Sequence, residues 1–291
     1  MKRLLHQYRG KTGSFLIMLF IYIAAVLTVG AMLFLVGHIL IRGIVHLRPS
    51  LFSPQYTAEN VSMLPAIWNT VYMTVLTLLI SVPLGVFSAV YLVEYARPQS
   101  RLVRIIRTTT ETLAGIPSIV YGLFGFLAFV LFMGWSYSMA AGVLTLSIMV
   151  LPTIIRTTEE ALLAVPRTYR EGSFGLGAGK LRTIFKIVLP SAMPGILSGI
   201  ILAVGRIVGE TAALIFTSGT APGAVLGLHN SARTLSVHMY CLLSEGLHTD
   251  AAYATAVVLL AVVVGINGLS GMIAGKLSAF ASGGGTVNGK I

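Results

Sequence analysis

Long apolar stretches alternate with short polar segments along the whole chain. A bilayer core about 30 Å thick is crossed by roughly 20 helical residues, and six stretches reach that length. They are approximately residues 15–41, 66–94, 111–133, 135–160, 192–217 and 251–276. Pro83, Pro117 and Pro152 fall within them and predict kinks, because neighbouring helices tolerate proline in a bundle. The pattern therefore predicts an all-α membrane protein with six transmembrane helices.

Composition supports this prediction. The 291 residues are 56% hydrophobic and only 10% charged, whereas soluble domains carry about 25% charged residues. The first apolar stretch continues well beyond the 7–15 apolar residues that are typical of a signal peptide. We therefore interpret it as a retained span.

The positive charges are concentrated on alternate connecting segments. Segments 1–14, 95–110, 161–191 and 277–291, with the adjoining Arg156 and Lys276, hold sixteen of the 20 Lys and Arg. Segments 42–65 and 218–250 hold three. By the positive-inside rule the first group is cytoplasmic, together with both termini, and the protein lies in the bacterial inner membrane. Because the basic residues form no contiguous patch, nucleic-acid binding is excluded despite the net charge of +11.

A glycine-rich segment at residues 175–180 raises the question of nucleotide binding. A phosphate-binding P-loop has Gly five positions before its Gly-Lys pair and Ser or Thr directly after it. Phe174 and Leu181 occupy those two positions. We therefore expect no nucleotide and no other cofactor on this chain.

The same segment belongs to a longer pattern, Glu171-Gly172-Ser173-x3-Gly177-x9-Ile187-x-Leu189-Pro190. It resembles the Glu-Ala-Ala-x3-Gly-x9-Ile-x-Leu-Pro motif in the membrane subunits of ABC importers, with two small residues in place of the alanines. The resemblance implies an ABC type I importer permease fold. It also implies that this coupling helix docks on a separate ATPase. From the residues themselves, Gly177 permits a tight turn and Pro190 suits the first turn of the next helix.

Two further segments resemble the phosphate permeases of ABC importers. They are Gly115-Ile-Pro-Ser-Ile-Val-Tyr-Gly122 and Gly205-Arg-Ile-Val-Gly-Glu-Thr-Ala-Ala213, and the Glu-Thr-Ala-Ala ending is more similar to the PstA family than to the PstC family. The resemblance implies a permease subunit without catalytic residues. Its expected partners are a PstC-like second permease, a PstB-like ATPase dimer that uses ATP and Mg, and a PstS-like phosphate-binding protein.

An arginine and a glutamate lie inside the fifth predicted span. Arg206 and Glu210 are spaced i, i+4 and would share one helix face, about 24 and 30 Å along a helix that starts at Pro190. Intramembrane charges indicate function by default, and a guanidinium suits phosphate oxygens. We expect Arg206, Glu210 and Thr211 to line a substrate path, with Glu210 holding the guanidinium between transport events. The alternative is a structural ion pair that fastens the span to a neighbour.

The remaining signals are weaker. Arg97, Arg101, Arg104 and Arg107 are expected to contact anionic membrane lipid, or alternatively the ATPase. The histidines lack ligand-like spacing and Cys241 is a lone cysteine, so no metal site is predicted. Residues 228–246 are amphipathic and could form an external or re-entrant helix that meets the binding protein.

These inferences divide the chain into four parts. Residues 1–14 are a cytoplasmic N-terminus, and 15–65 contain the first span and an outer loop. Residues 66–276 form a permease core with the coupling loop 161–191, and 277–291 form a flexible cytoplasmic tail. The alternatives for function are a permease for another oxyanion, such as molybdate or sulfate, and an ion-coupled secondary transporter.

Overall fold

The computed structural model describes residues 12–97 and 99–282. Within these ranges the chain is helical and contains no strand. The first six helices are α1 Thr12–Ile44, α2 Leu64–Val90, α3 Arg101–Ala114, α4 Ser118–Gly125, α5 Met139–Ala164 and α6 Arg167–Gly175. The others are α7 Lys180–Thr183, α8 Leu189–Val208, α9 Ala212–Thr217, α10 Leu235–Glu245 and α11 Thr249–Ser282.

Short irregular helical segments extend or join these helices. A π turn at Tyr91–Tyr95 continues α2, and a π segment at Phe126–Phe132 continues α4. A third, Ile184–Val188, joins α7 to α8, and Pro49–Phe52 forms a 3-10 turn after α1.

Five helical stretches of the described chain are long and apolar enough to cross a membrane: Leu16–Ile44, Leu64–Tyr95, Met139–Ala164, Lys180–Val208 and Thr249–Gly268. The bent pair formed by α3 and the helix Ser118–Phe132 makes a sixth when it is counted as one span. The predicted all-α membrane fold is therefore confirmed.

The third predicted span is wrong as a single helix over 111–133. Helices α3 and α4 meet at 104°, because Pro117 disfavours helical backbone at the residue before it. Residues 111–114 belong to α3, of which only Val103 is buried.

The fifth predicted span, 192–217, is also wrong as one helix. The helix is already continuous from Lys180 and ends at Val208, and α9 is a separate helix after Gly209–Thr211. The depths predicted for Arg206 and Glu210 assume one membrane helix that starts at Pro190 and includes both residues, whereas the continuous helix starts at Lys180 and ends before Glu210.

Two predicted boundaries change at the ends of the chain. Helix α11 continues to Ser282, so residues 277–282 of the expected flexible tail are helical, and 283–291 lie outside the described residues. Helix α1 begins at Thr12, and the expected N-terminal segment before it also lies outside them.

The helix bundle has two ends, which we call the α6 end and the α10 end after a helix that lies at each. Ion pairs and cation–π contacts bring residues 94–95 to α6 and α7 at the α6 end. Hydrogen bonds bring the start of α2 to residues 223–235 at the α10 end. Segments 95–110 and 161–191, predicted to be cytoplasmic, thus share one end, and segments 42–65 and 218–250, predicted to be external, share the other.

Helix α1 lies on the outside of the bundle against α11. Gly43 makes the closest approach, since a Cβ at this position would collide with the Tyr253 carbonyl and the Val257 side chain. Most apolar side chains of α1 are exposed, as a span facing lipid requires.

Candidate functional site

The two segments with phosphate-permease patterns meet in the structure. Gly122 of α4 packs directly on α9, and a Cβ on Gly122 would lie 2.7 Å from the Ala213 Cα. One turn further on, a Cβ on Gly125 would collide with Thr145 and Thr217. Glycine therefore permits the close approach of two short helices, each of which follows a break in a predicted span. Discontinuous membrane helices of this kind form substrate sites in many transporters.

Arg206 lies in the last turn of α8, just before the second break. It is half-buried, and its guanidinium makes neither an ion pair nor a hydrogen bond with any backbone group or side chain that the structure describes. Its charge is within electrostatic range of Tyr121 in α4, whose hydroxyl donates to the Leu113 carbonyl at 2.8 Å. A cation without a counter-charge among the described residues therefore lies beside the two helix breaks.

Glu210 does not hold this guanidinium, so the expected pairing with Arg206 is wrong. Because the helix ends at Val208, the i, i+4 relationship is lost. Glu210 is 8% exposed, and its Oε1 accepts a hydrogen bond from the Ala213 amide at 3.0 Å. Its carbonyl accepts from the Ser236 hydroxyl at 2.6 Å. The carboxylate caps α9, where the helix dipole favours negative charge.

Thr211 lies within the same break and is half-buried. Its hydroxyl donates to the Gly209 carbonyl at 3.4 Å. The structure thus places Arg206, Glu210 and Thr211 around one break, while their predicted part in a substrate path stays a prediction.

The predicted coupling residues surround the short helix α6. Glu171 and Gly172 are exposed, whereas Ser173 is buried and its hydroxyl lies 2.8 Å from the hydroxyl of Thr183 in α7. The small residue at this third motif position therefore allows α6 to pack against α7.

Gly177 ends α6 with the predicted tight turn. Its φ is +79°, which glycine adopts without strain. The Ala178 amide donates to the Ser173 carbonyl and the Gly177 amide to the Phe174 carbonyl, as in a Schellman motif. The helix end is thereby satisfied within the loop itself.

Ile187, Leu189 and Pro190 are half-buried within the long helix that starts at Lys180. Pro190 lies in the first turn of α8, as expected, although continuous helical backbone already begins at Lys180. The helix reaches Pro190 through the π turn Ile184–Val188, and such turns accommodate an interruption of the regular hydrogen bonds.

The loop carries an exposed apolar surface, which we call the α6 surface. Four large side chains form it, and Leu176 is 91% exposed. They are Tyr169, Phe174, Leu176 and Leu181. Apolar groups displayed on a tightly folded loop are typical of a protein–protein contact.

An ion pair that the sequence does not predict lies at the base of this loop. Arg170 donates from Nη2 and Nε to Glu94 Oε1, at 2.7 and 3.0 Å. Its Nη2 also donates to the Leu162 carbonyl and its Nη1 to the Val165 carbonyl, at 3.0 and 2.9 Å. The partners are 76 positions apart, so no local spacing rule could have linked them.

Two further ion pairs change the interpretation of the inner arginines and glutamates. Arg107, expected to contact lipid, pairs with Glu159 at 2.5 Å and joins α3 to α5. Arg156 and Glu160 form an exposed i, i+4 pair at 3.0 Å. Arg101 and Arg104 are exposed.

The predicted amphipathic segment 228–246 is helical only over Leu235–Glu245. Helix α10 buries most of one face, and the segment before it is held by α2. Asn69 Nδ2 donates to the carbonyls of Gly223 and Arg233, and the Leu235 amide donates to Thr70 Oγ1. This segment is therefore built into the bundle end.

The fold and these sites define a polytopic membrane permease. Residues 81–278 match the model of the binding-protein-dependent transport system inner membrane component. The chain therefore belongs to that family.

Relatives and solved structures agree with this assignment. The probable ABC transporter permease protein YqgI of Bacillus subtilis is 39% identical over 64% of this chain and 67% of the relative. The phosphate transport system permease protein PstA 1 of Mycobacterium tuberculosis is 38% identical over 72% and 69%. Two crystal structures of a bacterial ABC transporter involved in the import of alginate share the fold, with TM-scores of 0.64 and 0.60. The first of these covers 94% of this chain and 99% of the matched chain, at 16% identity.

Proposed function

We propose that this chain is the membrane permease subunit of an ATP-driven phosphate importer, in which it forms half of the translocation path. Arg206 carries the proposal. It presents an accessible guanidinium, without a counter-charge among the described residues, beside two helix breaks. A planar fork of donors matches the oxygens of phosphate. The similarity to a phosphate transport permease supports the choice of cargo.

The unpaired state of Arg206 favours anion passage over a structural ion pair. An intramembrane cation without a partner is unfavourable in lipid, and a passing oxyanion would supply the missing charge. Glu210 shapes the same region by fixing α9. Thr211, at the break, would add a hydroxyl donor.

The α6 surface would dock on a cytoplasmic ATPase, with Glu171 and Gly172 exposed at the contact. Ser173 and Gly177 would shape the docking helix, and Ile187, Leu189 and Pro190 would connect it to α8. In this arrangement the α6 end faces the cytoplasm, together with both termini, as the charge distribution favours. In this proposal the chain itself would contribute no catalytic residue and would bind no cofactor.

The complete importer would contain a PstC-like second permease, a PstB-like ATPase dimer and a PstS-like phosphate-binding protein. The two ATPases would bind ATP and Mg, and their closure would drive alternating access. The binding protein would meet the α10 end, where residues 223–235 are held in place by α2.

Uptake in a strain lacking this gene tests the proposal. Restoring the chain should restore uptake of labelled phosphate, with molybdate and sulfate as competitors. Arg206→Lys, which keeps the charge and loses the fork, should reduce uptake by about tenfold or more. Arg101→Lys, on the exposed face of α3, is the matched control and should leave uptake unchanged.

Two outcomes would contradict the proposal. Uptake of molybdate or sulfate without phosphate would assign the chain to another oxyanion. Normal phosphate uptake by an assembled Arg206→Lys complex would remove Arg206 from the path.

A further inference from the structure

Helix α2 is attached at both of its ends to segments with proposed functions. At the α6 end, Glu94 in its π turn binds Arg170 of α6. At the α10 end, Asn69 and Thr70 bind the backbone of residues 223–235. A single continuous helix, Leu64–Tyr95, lies between the two attachments.

The Arg170–Glu94 pair is half-buried, and Arg170 is extensively hydrogen-bonded. The side chains are 18% and 10% exposed, and Arg170 makes four hydrogen bonds, two of them to Glu94. Removal of one partner from a pair that is largely withdrawn from water leaves an uncompensated charge, which is destabilising. The contact therefore resists separation.

A second contact ties the other side of the loop to the same π turn. Lys180 Nζ lies 4.5 Å from the centre of the Tyr95 ring, which is a cation–π contact. Arg170 precedes the turn at Gly177 and Lys180 follows it, so neighbouring residues of the π turn hold the loop from both sides. The Ser173–Thr183 hydrogen bond makes the loop itself rigid.

Chain connectivity explains why the link to α2 matters. Helix α6 follows α5 after only two residues, so these two helices are already joined covalently. The direct contacts between α6 and α2 are made by side chains, in addition to the packing of α2 on α5. These contacts attach α2 directly to α6. A movement of α6 would therefore be passed to α2 as well as to α5.

We propose that α6 and α2 move as one body during transport, joined by Arg170 and Glu94, so that α2 carries a displacement of α6 to residues 223–235. Arg170 and Glu94 are then positioning residues. They transmit ATPase closure to the end of the bundle where cargo is delivered. This inference rests on the proposed coupling role of α6.

A double-mutant cycle tests the link. Arg170→Gln and Glu94→Gln should each reduce binding-protein-stimulated ATPase activity per assembled complex by about tenfold. Because both residues act as one unit, the double variant should be no worse than the worse single variant. Assembly is measured by co-purification of the ATPase. The control pair is Arg156→Gln and Glu160→Gln, whose exposed ion pair should contribute little.

Multiplication of the two single losses in the double variant would overturn the proposal, as would unchanged stimulation in both single variants. Variants that assemble normally but lose ATPase stimulation have a defect in coupling. A defect in folding would instead reduce assembly.

A distance measurement tests the proposal without changing the pair. Cys241 is the sole cysteine of the chain, so Cys241→Ala provides a background for spin labels at Leu79→Cys on α2 and Thr168→Cys on α6. Both native side chains are exposed. The label-to-label distance should be the same in nucleotide-free and ATP-closed complexes, with ATPase closure verified in the same samples. A shift of the distance between the two states would show that α2 and α6 move separately.

The two proposals fail in different ways. Absence of phosphate uptake by the wild-type complex would refute the proposed cargo. The spin-label distance responds to ATP and does not depend on which anion is carried.

Discussion

The carboxylate of Glu210 accepts a hydrogen bond from the Ala213 backbone amide, with 3.0 Å between Oε1 and the amide nitrogen. The contact turns a predicted ion-pair partner of Arg206 into the cap of α9. It also fixes α9 against α4, because Ala213 is the residue that Gly122 approaches. Glu210 Oε1 therefore contributes to stability as a hydrogen-bond acceptor, and this contribution does not depend on an ion pair with Arg206.

Substitutions at Glu210 should separate these two roles. Glu210→Ala removes the acceptor and should lower stability by about 1 kcal/mol or more, as loss of a helix cap does. Glu210→Gln keeps an oxygen acceptor at the same position and should retain most of that stability. Thermal unfolding of the purified complex measures both variants. Equal destabilisation by Gln and Ala would show that the negative charge itself is required.

Close packing of α4 on α9 makes Gly122 sensitive to a single added carbon. Gly122→Ala would place a Cβ 2.7 Å from the Ala213 Cα, and such overpacking costs about 1–3 kcal/mol. We expect lower thermal stability and lower phosphate uptake. Gly205→Ala is the matched control in α8, since its Cβ would meet no atom within 4 Å.

The control variant Gly205→Ala should not lose thermal stability. Alanine in a helix interior is more favourable than glycine by about 1 kcal/mol, so Gly205→Ala should be neutral or stabilising. If Gly122→Ala were equally well tolerated, the close contact between α4 and α9 would not be needed.

Much of the fold could be predicted from the sequence because apolar length and charge bias act along the chain. Those patterns located the apolar helices and grouped segments 95–110 and 161–191 at one end of the bundle, where the structure also places them. They could not locate the two helix breaks. Pro117 and Gly209 lie within apolar runs, and only packing against neighbouring helices decides whether such residues kink a helix or end it.

The candidate sites divide in the same way. The motif around α6 was found because its residues have fixed spacings. The pairs Arg170–Glu94 and Arg107–Glu159 join segments that are distant along the chain. The assumed pairing of Arg206 with Glu210 failed because it required an unbroken helix.

The turn at Gly177 provides a test of the coupling loop. Its φ of +79° is unfavourable for residues with a Cβ by about 1–2 kcal/mol. We expect Gly177→Ala to distort the end of α6 and reduce binding-protein-stimulated ATPase activity, measured per assembled complex. Gly175→Ala is the control, because Gly175 lies within α6 and its Cβ would meet no atom within 4 Å. Similar activity in the two variants would show that the backbone turn is not required for coupling.

His238 should make the stability of the α10 end depend on pH. Burial, and secondly the charge of Arg233, lower the pKa of His238 to about 4 from its usual 6.5. In the unfolded chain His238 therefore takes up a proton below about pH 6.5, whereas in the folded protein it does so only near pH 4. The stability associated with neutral His238 is complete above pH 6.5 and is lost as the pH falls towards 4, by up to about 3 kcal/mol.

A comparison of thermal stability at pH 7 and pH 5 checks this expectation. The wild-type complex should lose more stability on acidification than His238→Gln, which cannot gain the charge. The control His229→Gln removes an exposed histidine and should keep the wild-type dependence. The charge of Arg233, which lies 3.4 Å from the imidazole between Nη1 and Nδ1, opposes protonation in the folded state. An equal loss of stability in wild type and His238→Gln would show that His238 is not the group that titrates.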